Sequence, residues 1–442
     1  MARANPYDRR CRRRPVRKPT SRSVAGACGR PVLACLLALG FAALVFGEEG
    51  RSLSLDEAVG RALDRNPRVL QAQKDVDAAR GRRLQLEAVP NPELSFEAAA
   101  LPLWNSKGGE EFSLGVRQLI EFPGKRSLRR GIGRSGEGQA ALGLERARNV
   151  VRGRVERAYF LAAHARKRLD GLGSVLETLK TYAELAGERY RSGQVPYLDI
   201  IRGRLETLRL QNEIVEARRD LREKTAALEL LMGEPEYEPL EFSTDIGFMP
   251  LGRSLDELKA AAMAGPALRL AAARREQAVL SLALARKSGR PDFTVGLFTP
   301  SKRLGGWGFE VGMTLPVFRQ GPRGAAVEAE ALSGQASLET EARTRRILFV
   351  LETAYADALA LEEQITLFRD SLIREVEESL KAGLINYQYG KSDALGVLDI
   401  VRSLKETRSE FLRALLNHRL ALLDIATAGD DEDLGSGSVD GI

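Results

Sequence analysis

The residue types that commonly perform chemistry are few and scattered in this 442-residue sequence. The two histidines, His164 and His418, stand in no cluster with the spacing of metal ligands. The Pro-Gly-Lys-Arg stretch at 123–126 is not a phosphate-binding loop, because Leu119 and Arg126 replace a required glycine and a required Ser or Thr. No Gly-x-Ser-x-Gly motif stands at a strand-to-helix turn. We therefore expect no enzyme, no cofactor and no resident metal.

The elements that would position any functional residue occur twice. Ser54-Leu-Asp-Glu57 returns as Ser254-Leu-Asp-Glu257, and other short motifs return at a similar spacing in the same order. Repeats usually exist because neighbouring units bury each other's apolar faces. We therefore expect two similar halves of one architecture, residues 48–245 and 246–429.

The positive charge of the chain is concentrated at its N-terminus. The formal net charge is +7, but residues 1–47 carry ten Lys or Arg and one acid, which leaves residues 48–442 slightly negative. A nucleic-acid partner therefore loses its main support. An acidic stretch with Gly and Ser at 430–442 predicts a disordered tail.

The N-terminal segment has the pattern of an export signal. Basic residues precede an apolar run at 31–47, which is close to the lower limit for crossing a ~30 Å hydrocarbon core. We predict a cleaved signal peptide at 1–47, with a membrane anchor as the alternative. The mature chain would then contain no cysteine, because all three lie in this segment: Cys11, Cys28 and Cys35.

Long helices dominate the rest of the sequence. No proline interrupts 126–191, and ~65 residues at 1.5 Å each make a helix near 100 Å long. Its apolar residues recur at alternating steps of 3 and 4, which predicts a coiled-coil seam. The seam consists of Val155, Ala158, Ala162, Ala165, Leu169, Leu172, Leu176, Leu179, Ala183, Ala186 and Tyr190. Tyr/Gly turns at 190–193 and 387–390 then predict coiled-coil hairpins over 126–232 and 323–428.

Two shorter segments predict β-hairpins, at 93–122 and 292–318. In the first, apolar residues alternate with polar or small ones from 111 to 122, so that one face is apolar. The strands, at ~9–13 residues, have the length of strands that cross a bilayer at a tilt. Four strands cannot close a barrel alone, and lipid tolerates no open sheet edge. The membrane interpretation therefore requires several subunits, and three would give twelve strands. The alternative is a small soluble sheet at the end of the helices.

The whole arrangement resembles the TolC family of outer-membrane efflux proteins over roughly residues 52–430. The resemblance rests on the following motifs: Leu53–Ala58 with Asn66-Pro67, Gln118–Arg126, Tyr190-x-x-Gly193 followed by Leu198-Asp199, and Tyr387-x-x-Gly390 followed by Leu398-Asp399. The stretch 118–126 is similar to the heavy-metal, CzcC-like branch of the family.

The resemblance implies a mainly α fold with a small antiparallel β part. Three copies would join their strands into a β-barrel in outer-membrane lipid, and their helices into a periplasmic α-barrel. Such a channel docks on a periplasmic adaptor protein and an inner-membrane pump, and it is a passive exit duct in an efflux or export system. The alternative from another class is a soluble periplasmic coiled-coil scaffold or adaptor with no pore.

The resemblance also implies a gate of polar links at the tips of the helical hairpins. Carried over by position, its members here are Tyr387, Asp399 and, on the other hairpin, Asp199. Three copies of Asp399 around a narrow opening would favour cations and repel anions. The alternative is that Asp199 and Asp399 are helix caps.

The chain departs from the family pattern at two gate positions. Ser392 stands where the prototype has an arginine, and Gly396 stands where it has a further aspartate. The neighbouring charges Lys391 and Asp393 are candidates to replace them.

Overall fold

The structure, a computed structural model, describes residues 51–99, 111–234, 240–299 and 306–430, most of which are helical. Their helices are α1 (Leu55–Arg65), α2 (Pro67–Glu87), α3 (Lys125–Arg191), α4 (Tyr197–Met232), α5 (Leu255–Met263), α6 (Pro266–Ser288), α7 (Gln320–Leu367), α8 (Ile373–Gln388) and α9 (Ala394–Thr427). Their strands are β1 (Arg51–Leu53), β2 (Glu93–Ala99), β3 (Glu111–Ile120), β4 (Leu240–Phe242), β5 (Phe293–Phe298) and β6 (Gly308–Met313). The predicted fold class is confirmed; the predicted signal peptide lies outside the described residues.

The repeated Ser-Leu-Asp-Glu motif starts a helix in each half. The Ser54 hydroxyl accepts a hydrogen bond from the backbone N of Glu57 at 3.2 Å. Ser254 does the same with Glu257 at 3.4 Å, and the Glu257 carboxylate accepts from the backbone N of Ser254 at 3.2 Å. An N-cap of this kind stabilises a helix by about 1 kcal/mol. The motif therefore marks the same structural position in α1 and α5.

Glycine turns join the long helices into hairpins, as the sequence predicts. Gly193 between α3 and α4 has φ +71°, and Gly390 between α8 and α9 has φ +75°. Side chains with a Cβ rarely adopt this left-handed conformation, so glycine is the residue that ends each helix. A π-helical turn, Phe368–Leu372, separates α7 from α8. The sequence, which reads as one continuous helix there, does not predict it.

The predicted seam of α3 is wrong in its last part. Ala183 and Tyr190 are exposed, whereas Val175 and Tyr182 are buried. The reason is that this part of α3 packs on two neighbours, α4 of its own hairpin and α9 of the other. A helix between two partners buries a wider face than a single coiled-coil seam, and that face takes in Tyr182.

The four longer strands form one antiparallel sheet in the order β2-β3-β5-β6. The strands are shorter than predicted, since β5 and β6 have six residues each. The chain leaves the sheet after Met313, and Pro316, which cannot donate to a ladder, follows in the next segment. Residues 100–110 and 300–305, between the strands of the two predicted hairpins, lie outside the described residues.

The predicted disordered tail begins one residue too early. Asp430 is buried, and its carboxylate accepts a hydrogen bond from Asn149 Nδ2 at 2.8 Å. The Arg146 guanidinium donates to its backbone oxygen, also at 2.8 Å. These contacts attach the end of the described chain to α3. The rest of the predicted tail, 431–442, lies outside the described residues.

None of the described helices combines the length and the apolar content that a membrane-spanning helix needs.

A two-stranded parallel pair, β1 with β4, packs against the middle of α3. Three-residue strands carry too little pattern for sequence-based detection. Tyr159 of α3 fastens the pair, because its hydroxyl donates to the backbone oxygen of Leu53 at 2.8 Å. The same hydroxyl accepts from the backbone N of Thr244 at 3.0 Å. One buried side chain therefore holds segments from the two ends of the first half together.

Replacement of this hydroxyl should destabilise the fold. Tyr159→Phe leaves the Thr244 amide without its partner, which costs about 1–3 kcal/mol. We expect a lower midpoint in a thermal unfolding experiment on the purified protein. Tyr355→Phe is the matched control, since the half-buried Tyr355 hydroxyl has no hydrogen bond to the described residues. Equal midpoints for the two variants would contradict this role of Tyr159.

Candidate functional site

The five predicted gate residues lie at or near the turns that join the helices of each hairpin. Asp199 is in the first turn of α4 and Tyr387 in the last turn of α8. Lys391 and Asp393 are in the α8–α9 turn, and Asp399 is in the second turn of α9. Their surroundings differ, so that they do not form one cluster.

Tyr387 connects the two hairpins. Its side chain is fully buried, with the ring centre 5.3 Å from that of Tyr182 on α3. The Arg189 guanidinium lies 4.8 Å above the Tyr387 ring and donates to the Tyr387 backbone oxygen at 2.6 Å. Burial raises the pKa of both tyrosines, so each is a neutral phenol at physiological pH. The contact combines stacking with a cation–π interaction.

Asp199 lies next to the contact of Tyr182 with Tyr387, and its side chain is buried. Its carboxylate lies 3.6 Å from the Arg202 guanidinium one turn further along α4. The Tyr182 hydroxyl donates to the Asp199 backbone oxygen at a long 3.5 Å. Asp199 therefore supports the tip of the first hairpin from within.

Asp399 lies on the surface and contacts Arg402, which also contacts Glu206 of the other hairpin. Its side chain is 69% exposed, and one oxygen lies 3.1 Å from Arg402. Arg402 also contacts both oxygens of Glu206 on α4, at 3.0 and 2.9 Å. The hydrogen bond from Arg402 is the main cause that lowers the pKa of Glu206. We call Glu206, Arg402 and Asp399 the charged clasp, because they join α4 to α9.

A second ion pair between the same helices lies further from the turns. The Lys405 ammonium contacts both oxygens of Glu213 at 2.7 and 3.0 Å. Lys405 follows Arg402 by three residues, so both cations are on one face of α9. The two hairpins therefore meet at this end of the helices through opposite charges.

The two repeated aspartates are not structural equivalents, which corrects the expectation from their motif. Counted from the turn glycines, Asp199 comes six residues after Gly193 and Asp399 nine after Gly390. Three residues rotate a helix position by about 60° from its original direction. The rotation reverses the burial, since Leu398 is buried where Leu198 is exposed.

Neither aspartate is an N-cap, although Asp199 lies in the first turn of α4, where a negative charge is favourable. The N-cap of α9 is Asp393, whose carboxylate accepts from the backbone N of Gly396 at 3.0 Å. Pro196 is the N-cap of α4. Lys391 is exposed, and its side chain has no carboxylate partner among the described residues.

The sequence reasoning missed Tyr182, Arg189, Glu206 and Arg402. Each of them acts between helices that are distant in sequence, so no local spacing identifies it. The pattern Asp399 to Arg402, a pair three residues apart on a helix, is the one local signal, and such pairs are common.

The four-stranded sheet forms a second candidate surface, whose apolar face is the exposed one. The register aligns Leu94 with Val116, Val116 with Leu297, and Leu297 with Phe309, which places one face of all four strands together. The large apolar side chains exposed there are Leu94, Phe96, Leu114, Val116, Ile120, Leu297, Phe309, Val311 and Met313. An exposed apolar face of this extent marks a contact with lipid or protein.

The opposite face of the sheet is polar. Arg117 of β3 contacts Glu310 of β6 at 3.3 Å across the intervening strand, and Ser95 donates to the Gly115 oxygen at 3.4 Å. One apolar and one polar face is the pattern of a wall between lipid and water. Within the described residues, no three His, Cys, Asp or Glu side chains are grouped so that they could hold a metal ion.

His418 of α9 is a packed residue. Its side chain is fully buried against Phe248, with ring centres 5.4 Å apart. Its Nε2 lies 3.4 Å from a Glu362 oxygen. Burial is the main cause that lowers the pKa of His418.

Duplicated coiled-coil hairpins with a sheet of one apolar face define an outer-membrane channel fold. Solved structures with this fold include CusC, with a TM-score of 0.73 and 21% identity over 85% of this chain and 91% of that chain. VceC from Vibrio cholerae has a TM-score of 0.70 and 18% identity over 85% and 96%. The cobalt-zinc-cadmium resistance protein CzcC of Cupriavidus metallidurans is 23% identical over 377 residues, which is 83% of this chain and 88% of CzcC.

The family model for outer membrane efflux proteins matches residues 58–234 and 258–428. The chain therefore belongs to the outer membrane efflux protein family. The predicted resemblance and the predicted function, an outer-membrane efflux channel component, are both confirmed. The family membership favours the channel over a soluble scaffold without a pore.

The charged clasp should weaken in acid. The pKa of Glu206 is below its ordinary 4.5 because Arg402 stabilises the carboxylate. A lowered pKa in the folded state gives stability that is complete above pH ~4.5 and is lost as the pH falls below it. In a double-mutant cycle of Glu206→Ala and Arg402→Ala, thermal unfolding at pH 7 should give a coupling energy of about 1 kcal/mol.

The same cycle at pH 3 should give a much smaller coupling. A cycle of Glu341→Ala and Arg345→Ala on α7, an exposed pair one turn apart, is the control and should couple by at most about 0.5 kcal/mol. If the coupling energy of Glu206 with Arg402 at pH 7 were no larger than that of the control pair, the charged clasp would not stabilise the contact between α4 and α9.

Proposed function

We propose that this protein is the passive outer-membrane duct of a tripartite efflux system. In this proposal the 1–47 segment directs export and is removed, three copies assemble, the strands lie in outer-membrane lipid and most of the chain lies in the periplasm. A periplasmic adaptor and an inner-membrane pump deliver the cargo and the energy, and the chain itself catalyses no reaction. The observation that carries the proposal is the continuous apolar face on all four strands.

The sheet edges support assembly from several copies. Within the described residues, β2 and β6 each pair with a strand on one side only. An edge in lipid would leave a row of backbone groups without hydrogen bonds, each at a cost of several kcal/mol. Pairing β2 of one copy with β6 of the next satisfies both edges, and three copies give a closed wall of twelve strands.

The helices support the same assembly. Counted from the turn glycines, Tyr197 and Ile201 of α4 correspond to Ala394 and Leu398 of α9. The α9 residues are buried beside α3, whereas the α4 residues are exposed. More of this α4 face is apolar and exposed at heptad spacing: Leu205, Leu208 and Val215. We infer that α4 packs on α7 and α8 of a second copy, as α9 packs on α3 within the chain.

Chemical cross-linking tests this assembly. The Arg408 guanidinium donates to the Ser174 hydroxyl at 3.0 Å, which is an α9–α3 contact. The corresponding positions are Gln211 on α4 and Ser371 in the π-helical turn. The mature chain has no cysteine, so Gln211→Cys with Ser371→Cys should form dimers and trimers with a short bifunctional thiol reagent.

The control for the cross-link pairs Gln211→Cys with Ser337→Cys. Ser337 is exposed on α7 but lies about 50 Å along the helix axis from Ser371. It should give no cross-linked oligomer. A monodisperse monomer in mild detergent, together with no cross-link for the first pair, would overturn the shared assembly.

The gate part of the proposal rests on Asp399. Its exposed carboxylate is partly neutralised by Arg402, and three copies would bring three such groups to one opening. Asp199 and Tyr387 are buried, so we propose that they hold the tips in shape. The Asp393 carboxylate is engaged as a cap, and Lys391 is a candidate for a contact with a second copy.

Single-channel conductance in a planar lipid bilayer tests pore and gate together. We expect discrete, cation-preferring steps from the purified mature protein. Asp399→Ala should raise the resting conductance and lower the cation preference by about twofold or more, because it removes fixed negative charge from the narrow opening. Asp77→Ala on α2, also exposed and also one charge fewer, should change neither.

Each failure of the conductance experiment has its own meaning. If the folded, trimeric protein gave no conductance even as the Asp399→Ala variant, the proposal of a pore would be wrong. Conductance steps with unchanged selectivity in Asp399→Ala would show that the protein forms a pore and that Asp399 is not part of its gate.

A further inference from the structure

A group of basic and apolar side chains surrounds the junction between the sheet and the long helices. We call it the basic collar and define it by Lys287, Arg290, Arg319 and Arg323, together with the apolar segment 315–318. Its parts come from the end of α6, the start of α7 and the chain that connects β6 to α7. Neither the sheet nor the gate uses these residues.

Several contacts bring the parts of the collar to one level. A Cβ placed on Gly289 would lie 3.4 Å from Pro322, so the end of α6 touches the start of α7. Lys125 donates to the Arg290 oxygen at 2.9 Å, and the Arg290 guanidinium lies 5.9 Å from the Phe122 ring centre. The strand-to-helix turn of the first half therefore adjoins the same place.

The cations of the collar have no carboxylate partners among the described residues. The nearby acids are engaged elsewhere, since Asp292 pairs with Lys125 at 2.9 Å and Glu121 pairs with Arg129. Arg319 is the N-cap of α7, and Arg323 follows in its first turn without any acidic residue there. Cations at the positive end of a helix dipole are unfavourable. A bound anion would neutralise these cations and would interact favourably with the positive end of the α7 dipole.

The apolar segment points to the source of that anion. Phe318 is 90% exposed and Val317 75% exposed, directly before Arg319, and Leu315 is also exposed. Exposed apolar and aromatic side chains beside Arg or Lys are the pattern of a segment at the boundary between acyl chains and headgroups. A free anion in water would leave these apolar side chains uncovered.

We propose that the basic collar binds the phosphates of anionic phospholipid headgroups in the leaflet on the helix side of the sheet. The segment 315–318 enters the outer part of the acyl layer, and the four cations lie at the phosphate level above it. The proposal rests on the proposed function, in which the strands cross that bilayer. It adds a lipid preference and fixes the depth at which the helices leave the membrane.

Lipid-dependent melting of the purified mature protein in neutral detergent tests the proposal. Phosphatidylglycerol should raise the melting temperature, while phosphatidylcholine and inorganic phosphate should not, because a ligand that binds the folded state stabilises it. Each basic residue near an anionic surface contributes about fivefold in affinity, so Arg319→Glu with Arg323→Glu should weaken phosphatidylglycerol binding by about 25-fold or more. Arg319→Gln with Arg323→Gln should give a smaller loss in the same direction.

The matched control is Arg218→Glu with Arg222→Glu on α4. These two exposed arginines have the same four-residue spacing and no carboxylate partner among the described residues, so the variant changes the net charge equally. It should bind phosphatidylglycerol as the wild type does. A 319/323 variant that also binds like the wild type would overturn the proposal, and so would equal responses to phosphatidylglycerol and inorganic phosphate.

A second measurement locates the apolar segment. An environment-sensitive fluorophore on Phe318→Cys should shift its emission to the blue when the channel is placed in vesicles, whereas one on Leu230→Cys, exposed on α4, should not. If the emission at position 318 did not shift in a protein that conducts ions, lipid binding by the basic collar would be rejected, whereas the channel function would stand. No conductance from the folded trimer, even as the Asp399→Ala variant, would instead reject the proposed function.

Discussion

The backbone hydrogen bonds at the edges of the sheet are the constraint on which the rest of the structure depends. Within the described residues, β2 and β6 each pair on one side only, and one face of the whole sheet is apolar. Water would satisfy the edges but not the apolar face, and lipid would cover the face but not the edges. A closed wall in lipid satisfies both, and four strands are too few to close one. The proposed assembly of three copies meets this constraint, because twelve strands close a wall.

The duplicated helices leave an apolar face of α4 exposed, on which a second copy can pack in the proposed assembly. Within the chain, α9 of the second hairpin packs on α3 of the first, with Tyr182 and Tyr387 at the centre of the contact. On the α4 face that would make the reciprocal contact with α7 and α8, the apolar residues are exposed to solvent within the part of the chain that the structure describes. In the proposed assembly, the two similar halves use one kind of interface twice, once within the chain and once between copies, so that every hairpin has two neighbours in a ring.

The sequence predicts the local features of this fold well. The helix starts at Ser54 and Ser254 and the turns at Gly193 and Gly390 depend on a few adjacent residues, whose chemistry is readable one position at a time. The exposed apolar face of β3 follows from alternation alone. The prediction of the buried face of α3 was wrong at Ala183 and Tyr190 and missed Tyr182, because burial there depends on which second helix adjoins α3. The clasp between Glu206 and Arg402 was missed for the same reason, since it joins positions 196 residues apart.

The contact between α4 and α9 near the turns differs in chemistry from the contacts of the helix bodies. Close to the β1–β4 pair, α3 is held by a large apolar cluster that includes Val155, Phe160 and Leu228. Toward the turns, charges carry much of the contact between α4 and α9, at Arg402 and Lys405. Separation of apolar surfaces exposes area to water and costs about 25 cal/mol for each Å², whereas separated half-exposed ions recover most of their hydration. The α4–α9 contact near the turns therefore separates at a smaller cost than the apolar contacts beside it, such as that of Tyr182 with Tyr387.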